Sequence, residues 1–146
     1  MKNTQTIALA TLIILIGVFG FQTKEPWTAK QMVSPYELNK QMRLDDKTIP
    51  VLLSVGPEAV IEGSVDIGPG QDGKNIDKLI QRVEKLDKDQ EIIIYCGCCP
   101  LQKCPNVRPA FKALNDLGFN QHKLLAILNN IKTDWIDKGY PTAQTE

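Results

Sequence analysis

Apolar residues in this chain fall into short continuous runs, separated by stretches in which they recur at helical spacing. Ser34-Pro35-Tyr36-Glu37 reads as a helix start. Ser34 is placed to cap, Pro35 suits the first helical position, and Glu37 completes a capping box, so a helix is predicted to about Met42. Residues 51–55 are a strand-like run closed by Gly56-Pro57, and residues 64–67 a second, closed by Gly68-Pro69-Gly70. Ile76, Leu79, Ile80, Val83 and Leu86 share one helical face, which predicts an amphipathic helix over 75–86. The β-branched and aromatic run Glu91-Ile92-Ile93-Ile94-Tyr95 reads as a buried strand. A helix is predicted over 106–117 with Gly118 as its stop, a strand over 124–128, and a last helix over 133–138 ended by Gly139-Tyr140-Pro141. Strands alternating with helices predict an α/β domain: three layers, with a mainly parallel central sheet flanked by helices.

Before the domain comes a different kind of segment. Met1-Lys2 is weakly positive and residues 7–21 are apolar but for Thr11. That stretch suits a signal peptide and falls short of the ~20 residues of a spanning helix. Residues 1–22 are therefore expected to be a signal peptide, or an uncleaved N-terminal anchor. Residues 23–33 read as a linker, 34–141 as the folded domain and 142–146 as a tail. Trp27, within the linker, is expected to pack on the domain as part of an N-terminal arm. Export makes the protein periplasmic or secreted, where thiols meet an oxidising environment. The 17 Lys+Arg balance the 17 Asp+Glu. With no net positive field, nucleic acid is not an expected partner, nor is a membrane beyond the N-terminal segment.

All four cysteines lie in one segment, Cys96-Gly97-Cys98-Cys99-Pro100-Leu101-Gln102-Lys103-Cys104, between the 91–95 strand and the 106–117 helix. A thiol at the carboxyl end of a strand, facing a helix start, sits where α/β sheets keep reactive groups, and amides and the helix dipole favour a thiolate there. Several readings stay open. In an exported domain the cysteines can form two disulfides, Cys96 with Cys99 and Cys98 or Cys99 with Cys104. Cys96-Gly97-Cys98-Cys99 contains a C-x-x-C, the arrangement of thiol–disulfide exchange. Cys96, Cys98, Cys99 and Cys104 also offer four thiolates to zinc, copper(I) or an iron–sulfur centre. His122, the only histidine, is expected in a solvated turn, and Asp134, Asp137 and Glu62 at the surface. Trp135 and Tyr140 are expected to pack.

Four segments carry a resemblance to a known family. Val51-Leu52-Leu53-Ser54-Val55 looks like a first core strand, and Ile61-Glu62-Gly63-Ser64-Val65 is similar to a His-Ile-Pro-Gly-Ala segment with Val60 in place of the histidine. Ile93-Ile94-Tyr95-Cys96 looks like the strand ending in an active cysteine. Trp135-Ile136-Asp137-Lys138-Gly139-Tyr140-Pro141 matches a closing Trp-x-x-x-Gly-Tyr-Pro signature. Over residues 34–141 the chain thus resembles the rhodanese-like domain family. The resemblance implies a rhodanese-like fold and sulfurtransferase chemistry of the thiosulfate sulfurtransferase kind, with no cofactor: a cysteine takes sulfane sulfur as a persulfide and passes it on. It implies Cys96 as nucleophile, with Cys104 as second choice. Arg108 would hold an anionic sulfur donor, and the amides from Gly97 onward would cradle the sulfur anion. The implied partners are a small sulfur-containing anion, a thiol acceptor and a partner protein. The sequence departs from the family in three places. The loop is enlarged, eleven residues (97–107) separating Cys96 from Arg108; Ser54-Val55-Gly56 replaces the Asp-x-Arg after the first core strand; and Val60 replaces the histidine.

Overall fold

A computed structural model describes residues 24–44 and 49–143. The signal segment expected over 1–22 lies outside the described residues. Five strands form one sheet: β1 (Met32–Val33), β2 (Val51–Ser54), β3 (Val65–Asp66), β4 (Ile92–Tyr95) and β5 (His122–Leu125), in the order β1-β5-β4-β2-β3. Every pairing is parallel, with Leu53 opposite Ile94 on one side and Val65 on the other. The helices are α1 (Pro35–Met42), α2 (Gly73–Val83), α3 (Val107–Asp116) and α4 (Ile131–Asp134).

The period-2 alternation of strand side chains divides the core in two. Leu53, Ile92 and Ile94 pack with Leu79 and Val83 of α2 and Phe111 and Leu114 of α3. Leu52, Ile93, Tyr95 and Leu125 pack on the other face with Leu38 of α1 and Trp135. All of β4 is buried, which is why its sequence is a continuous apolar run rather than an alternating one. The α/β class, three layers and parallel sheet expected from the sequence are present, and they are consistent with a rhodanese-like arrangement.

The boundaries differ in four places. Met32 and Val33, in the segment expected to be a linker, form the edge strand and pair with Leu124 and Leu125. The 75–86 helix begins earlier, at Gly73, because the Asp72 carboxylate accepts the Lys74 N–H at 3.0 Å. β5 spans His122–Leu125 rather than 124–128, and Leu128 is exposed. The last helix is broken: α4 starts from an Asn130 cap and stops where Trp135 leaves helical dihedrals (φ −129°, ψ −61°), followed by a 3-10 turn at Ile136–Lys138. The Trp135 side chain is buried there with its Nε1–H donating to Pro141 O at 2.8 Å. Its position in the core decides the local backbone.

Candidate thiol site

β4 ends by presenting Cys96 at the carboxyl edge of the sheet. The strand end is anchored by Tyr95, whose hydroxyl accepts the Ile61 N–H (3.1 Å) and bonds Ser64 Oγ (2.8 Å). The Ile61–Ser64 segment that carried part of the family resemblance thus props the strand bearing Cys96. Two glycines allow close packing around it. A Cβ on Gly56 would lie 3.0 Å from Cys96 Sγ, and one on Gly97 would lie 2.6 Å from Ile131 Cβ. The Gly97 carbonyl accepts the Ile131 N–H at 2.9 Å, which ties the loop to α4.

Beyond Cys98 and Cys99 the chain makes a 3-10 turn at Leu101–Lys103, pinned by the Leu101 N–H to Ile127 O at 3.0 Å. It then delivers Cys104, buried, to the start of α3, where the backbone N–H groups of Asn106 and Val107 favour its thiolate. Of the two candidate nucleophiles, Cys104 is therefore the one against the helix N-terminus. Asn106, at the cap position, does not cap with its side chain. Its Nδ2 donates to Cys96 Sγ (3.4 Å) and reaches Cys98 Sγ (3.9 Å), while its Oδ1 accepts the Gln71 N–H (3.2 Å).

The thiols form one connected group. Cys96 and Cys98 sulfurs are 3.2 Å apart and those of Cys98 and Cys99 3.1 Å. The sulfurs of Cys96, Cys98 and Cys104 all lie within 4.8 Å of one another. All four cysteines are free thiols, so neither expected disulfide pairing is present. Cys99, the partner in the C-x-x-C reading, sits against Cys98 instead of Cys96. Three converging sulfurs with no oxygen or nitrogen ligand among them suit a soft, thiophilic metal ion.

The proton inventory of the group is lopsided. Hydrogen bonding from the Cys104 thiol, with help from the Cys98 N–H and Asn106 Nδ2, outweighs burial and brings Cys96 down to about 5. Burial, then hydrogen bonding with Cys99 and Cys96, pushes Cys98 up to about 12. Cys104 is pushed up as well, because its proton is held in the bond to Cys96. Cys96 thus carries a thiolate, and the Cys98 and Cys104 thiols beside it stabilise that charge.

Arg108 is held differently from the expectation. Its guanidinium makes a two-pronged pair with Glu25 (2.9 and 2.6 Å), donates to the Cys104 and Gln102 carbonyls (2.8 and 3.3 Å), and lies over the Trp27 ring. It holds the loop through the loop's carbonyls, with its charge matched by Glu25, and its hydrogen bonds go to these groups rather than to the sulfurs. Trp27 packs edge-on against Phe111, as an arm lying on the domain. His122 is buried rather than solvated, with Nε2 2.8 Å from Asn115 Oδ1. It stands at the opposite end of the parallel sheet from Cys96, so it is no base for these thiols. Beside the cluster is a cavity of about 200 Å³ lined by Pro57, Glu58, Val60, Gly97, Cys98 and Ile131. It holds one carboxylate and no cation. Sequence reasoning assigned no site role to the Asn106 side chain, to Gly56 or to Glu58. For Asn106 a signal existed: an amide side chain directly after Cys104-Pro105, at a strand-to-helix turn full of thiols.

No protein-family model matches the chain, and no curated protein matches it. Among solved structures it is similar to the Alr3790 protein from Anabaena sp., at 18% identity and a TM-score of 0.55, over 76% of this chain and 90% of that one. At that identity the likeness establishes the fold and is silent on the chemistry of the thiols.

Proposed function

We propose that this is an exported, rhodanese-like sulfurtransferase or persulfide carrier, with Cys96 as the nucleophile. One observation supports this reading above the others: Cys96 sits at the carboxyl end of the central strand with its thiol brought down to about 5 and donors from Cys104, Cys98 and Asn106 directed at its sulfur. A thiolate at neutral pH is the nucleophile that attacks a sulfane donor. The same donors suit the persulfide anion that results. Cys104 acts as a positioning residue in this scheme, because its proton is engaged in stabilising Cys96. The cavity beside Cys98 carries Glu58 and lacks a cation, so a thiol acceptor suits it better than a small dianion such as thiosulfate.

Incubation with inorganic polysulfide, followed by alkylation and mass spectrometry, is expected to show one added sulfur on Cys96. Cys96→Ser is expected to abolish the addition. Full loading of Cys96→Ser would refute the assignment. The convergence of Cys96, Cys98 and Cys104 sulfurs favours a second reading, soft-metal binding. Anaerobic purification with elemental analysis separates the two: a stoichiometric metal, lost in Cys96→Ser, Cys98→Ser and Cys104→Ser alike, would replace sulfur transfer as the reading.

A further inference from the structure

We propose that sulfane sulfur taken up by Cys96 is handed to Cys98 and leaves the protein from there. The inference rests on the sulfur-transfer reading above and assigns it an exit. Cys96 is only 4% exposed, and it does not line the neighbouring cavity, whereas Cys98 is exposed and does. A buried persulfide is shielded from an oxidising compartment and also from any bulky acceptor. Cys98 Sγ is 3.2 Å from Cys96 Sγ. A persulfide adds its outer sulfur about 2 Å from Sγ, which puts that sulfur within reach of Cys98. Asn106 Nδ2 faces both, 3.4 Å from one sulfur and 3.9 Å from the other, so one donor serves both ends of the transfer.

The step balances without an oxidant or a reductant. The Cys98 thiol gives its proton to the outer sulfur of the Cys96 persulfide anion. The Cys98 thiolate then attacks that outer sulfur, a bond forms between them, and the Cys96 S–S bond breaks with its electron pair left on Cys96 Sγ. The products are the Cys96 thiolate and a neutral Cys98 persulfide, and the sulfane sulfur keeps its oxidation state. Thiol exchange is faster when the leaving sulfur is the weaker base, and an attacking thiolate is more nucleophilic, though scarcer, when it is the stronger base. The hydrogen bonds that stabilise the Cys96 thiolate make it the better leaving group, and Cys98, whose thiol is held up, is the stronger nucleophile once deprotonated.

The test loads wild type, Cys98→Ser, Cys98→Ala and Cys99→Ser with inorganic polysulfide and follows delivery to two acceptors. Cyanide is small enough to reach Cys96 directly; reduced thioredoxin stands for a protein thiol. Each protein's rate to thioredoxin is divided by its rate to cyanide; this ratio is expected to match wild type in Cys99→Ser and to fall roughly tenfold in both Cys98 variants. A wild-type ratio in the Cys98 variants, with Cys96 still loaded, overturns the relay and leaves the transfer reading intact. So does a Cys96–Cys98 disulfide with release of hydrosulfide in loaded wild type, which places the attack on the inner sulfur. Failure of wild type to load at all overturns both.

Discussion

Asn106 stands where helices usually carry a capping side chain, yet it spends its amide on the thiols. Its worth is measurable at Cys96. Removing a donor from an anion costs about 1.4 kcal/mol where the bond is of moderate length, which equals about one pH unit in the thiolate's titration. Asn106→Ala is therefore expected to raise the midpoint of the Cys96 thiolate absorbance by about one unit from its position near pH 5. Cys104→Ala should raise it further, since the Cys104 thiol is the largest contributor, and Cys104→Ser should restore much of the depression because a hydroxyl also donates. In wild type the Cys96 thiolate is present above that midpoint and disappears as pH falls through it. Sulfur uptake should then be flat across neutral pH and decline in acid. A midpoint unmoved in Cys104→Ala would refute the donor arrangement. Gly97 is a different case. It was expected to supply an amide to the sulfur, yet its lack of a side chain is what the packing requires, with Ile131 Cβ 2.6 Å from where a Cβ would stand. Gly97→Ala should cost about 1–3 kcal/mol by overpacking, read in denaturant unfolding.

The start of α1 was legible because each of its signals is local. Ser34 Oγ accepts the Glu37 N–H at 3.2 Å, and the Glu37 carboxylate accepts the Ser34 N–H at 2.9 Å. Ser34→Ala should cost about 1 kcal/mol of stability, again read in unfolding. The core strands β2 and β4 and the helix α3 were legible for a similar reason, since their apolar periods are set by burial on both faces or on one. What the sequence concealed depends on contacts far along the chain. β5 was expected, but over 124–128: the polarity of His122 and Lys123 hides the strand's true start, which their pairing with Ile92 and Ile93 sets. Arg108 was read from its place after the loop, but the groups that engage it, Glu25 and Trp27, lie far back in the arm. An exposed pair of that kind contributes about 0–1 kcal/mol. Glu25→Ala should thus change stability little. It tests whether the arm holds the loop: if so, Cys98 and Cys99 alkylate faster in the variant while the unfolding midpoint stays put.

The parallel sheet separates two chemistries by its length. All strands run the same way, so the thiols collect at the carboxyl edge and His122 lies at the other end of β5. Polarity of this kind made the placement of the thiols at the carboxyl end of β4 legible in the sequence. Their differences were not, because four neighbouring thiols are equivalent in sequence and differ only in burial and in which neighbour donates to which. The same separation lets acid act on the two ends independently. Cys96 protonates near pH 5 and removes the nucleophile. His122 is buried against Phe111 beside Asn115, and burial holds its pKa below the ordinary value of 6.5. A histidine with a depressed folded pKa favours folding above its unfolded pKa. As pH falls below about 6.5 the unfolded chain takes up the proton first, and stability declines until the folded state protonates too. Thermal unfolding of wild type is therefore expected to lose stability between about pH 7 and pH 5, and His122→Gln, which does not titrate, to lose less over that interval. Parallel pH profiles for the two proteins would show that His122 does not sense acid through the fold. Cys96→Ser separates the two ends: it should abolish sulfur uptake at every pH and leave the His122 part of the stability profile in place.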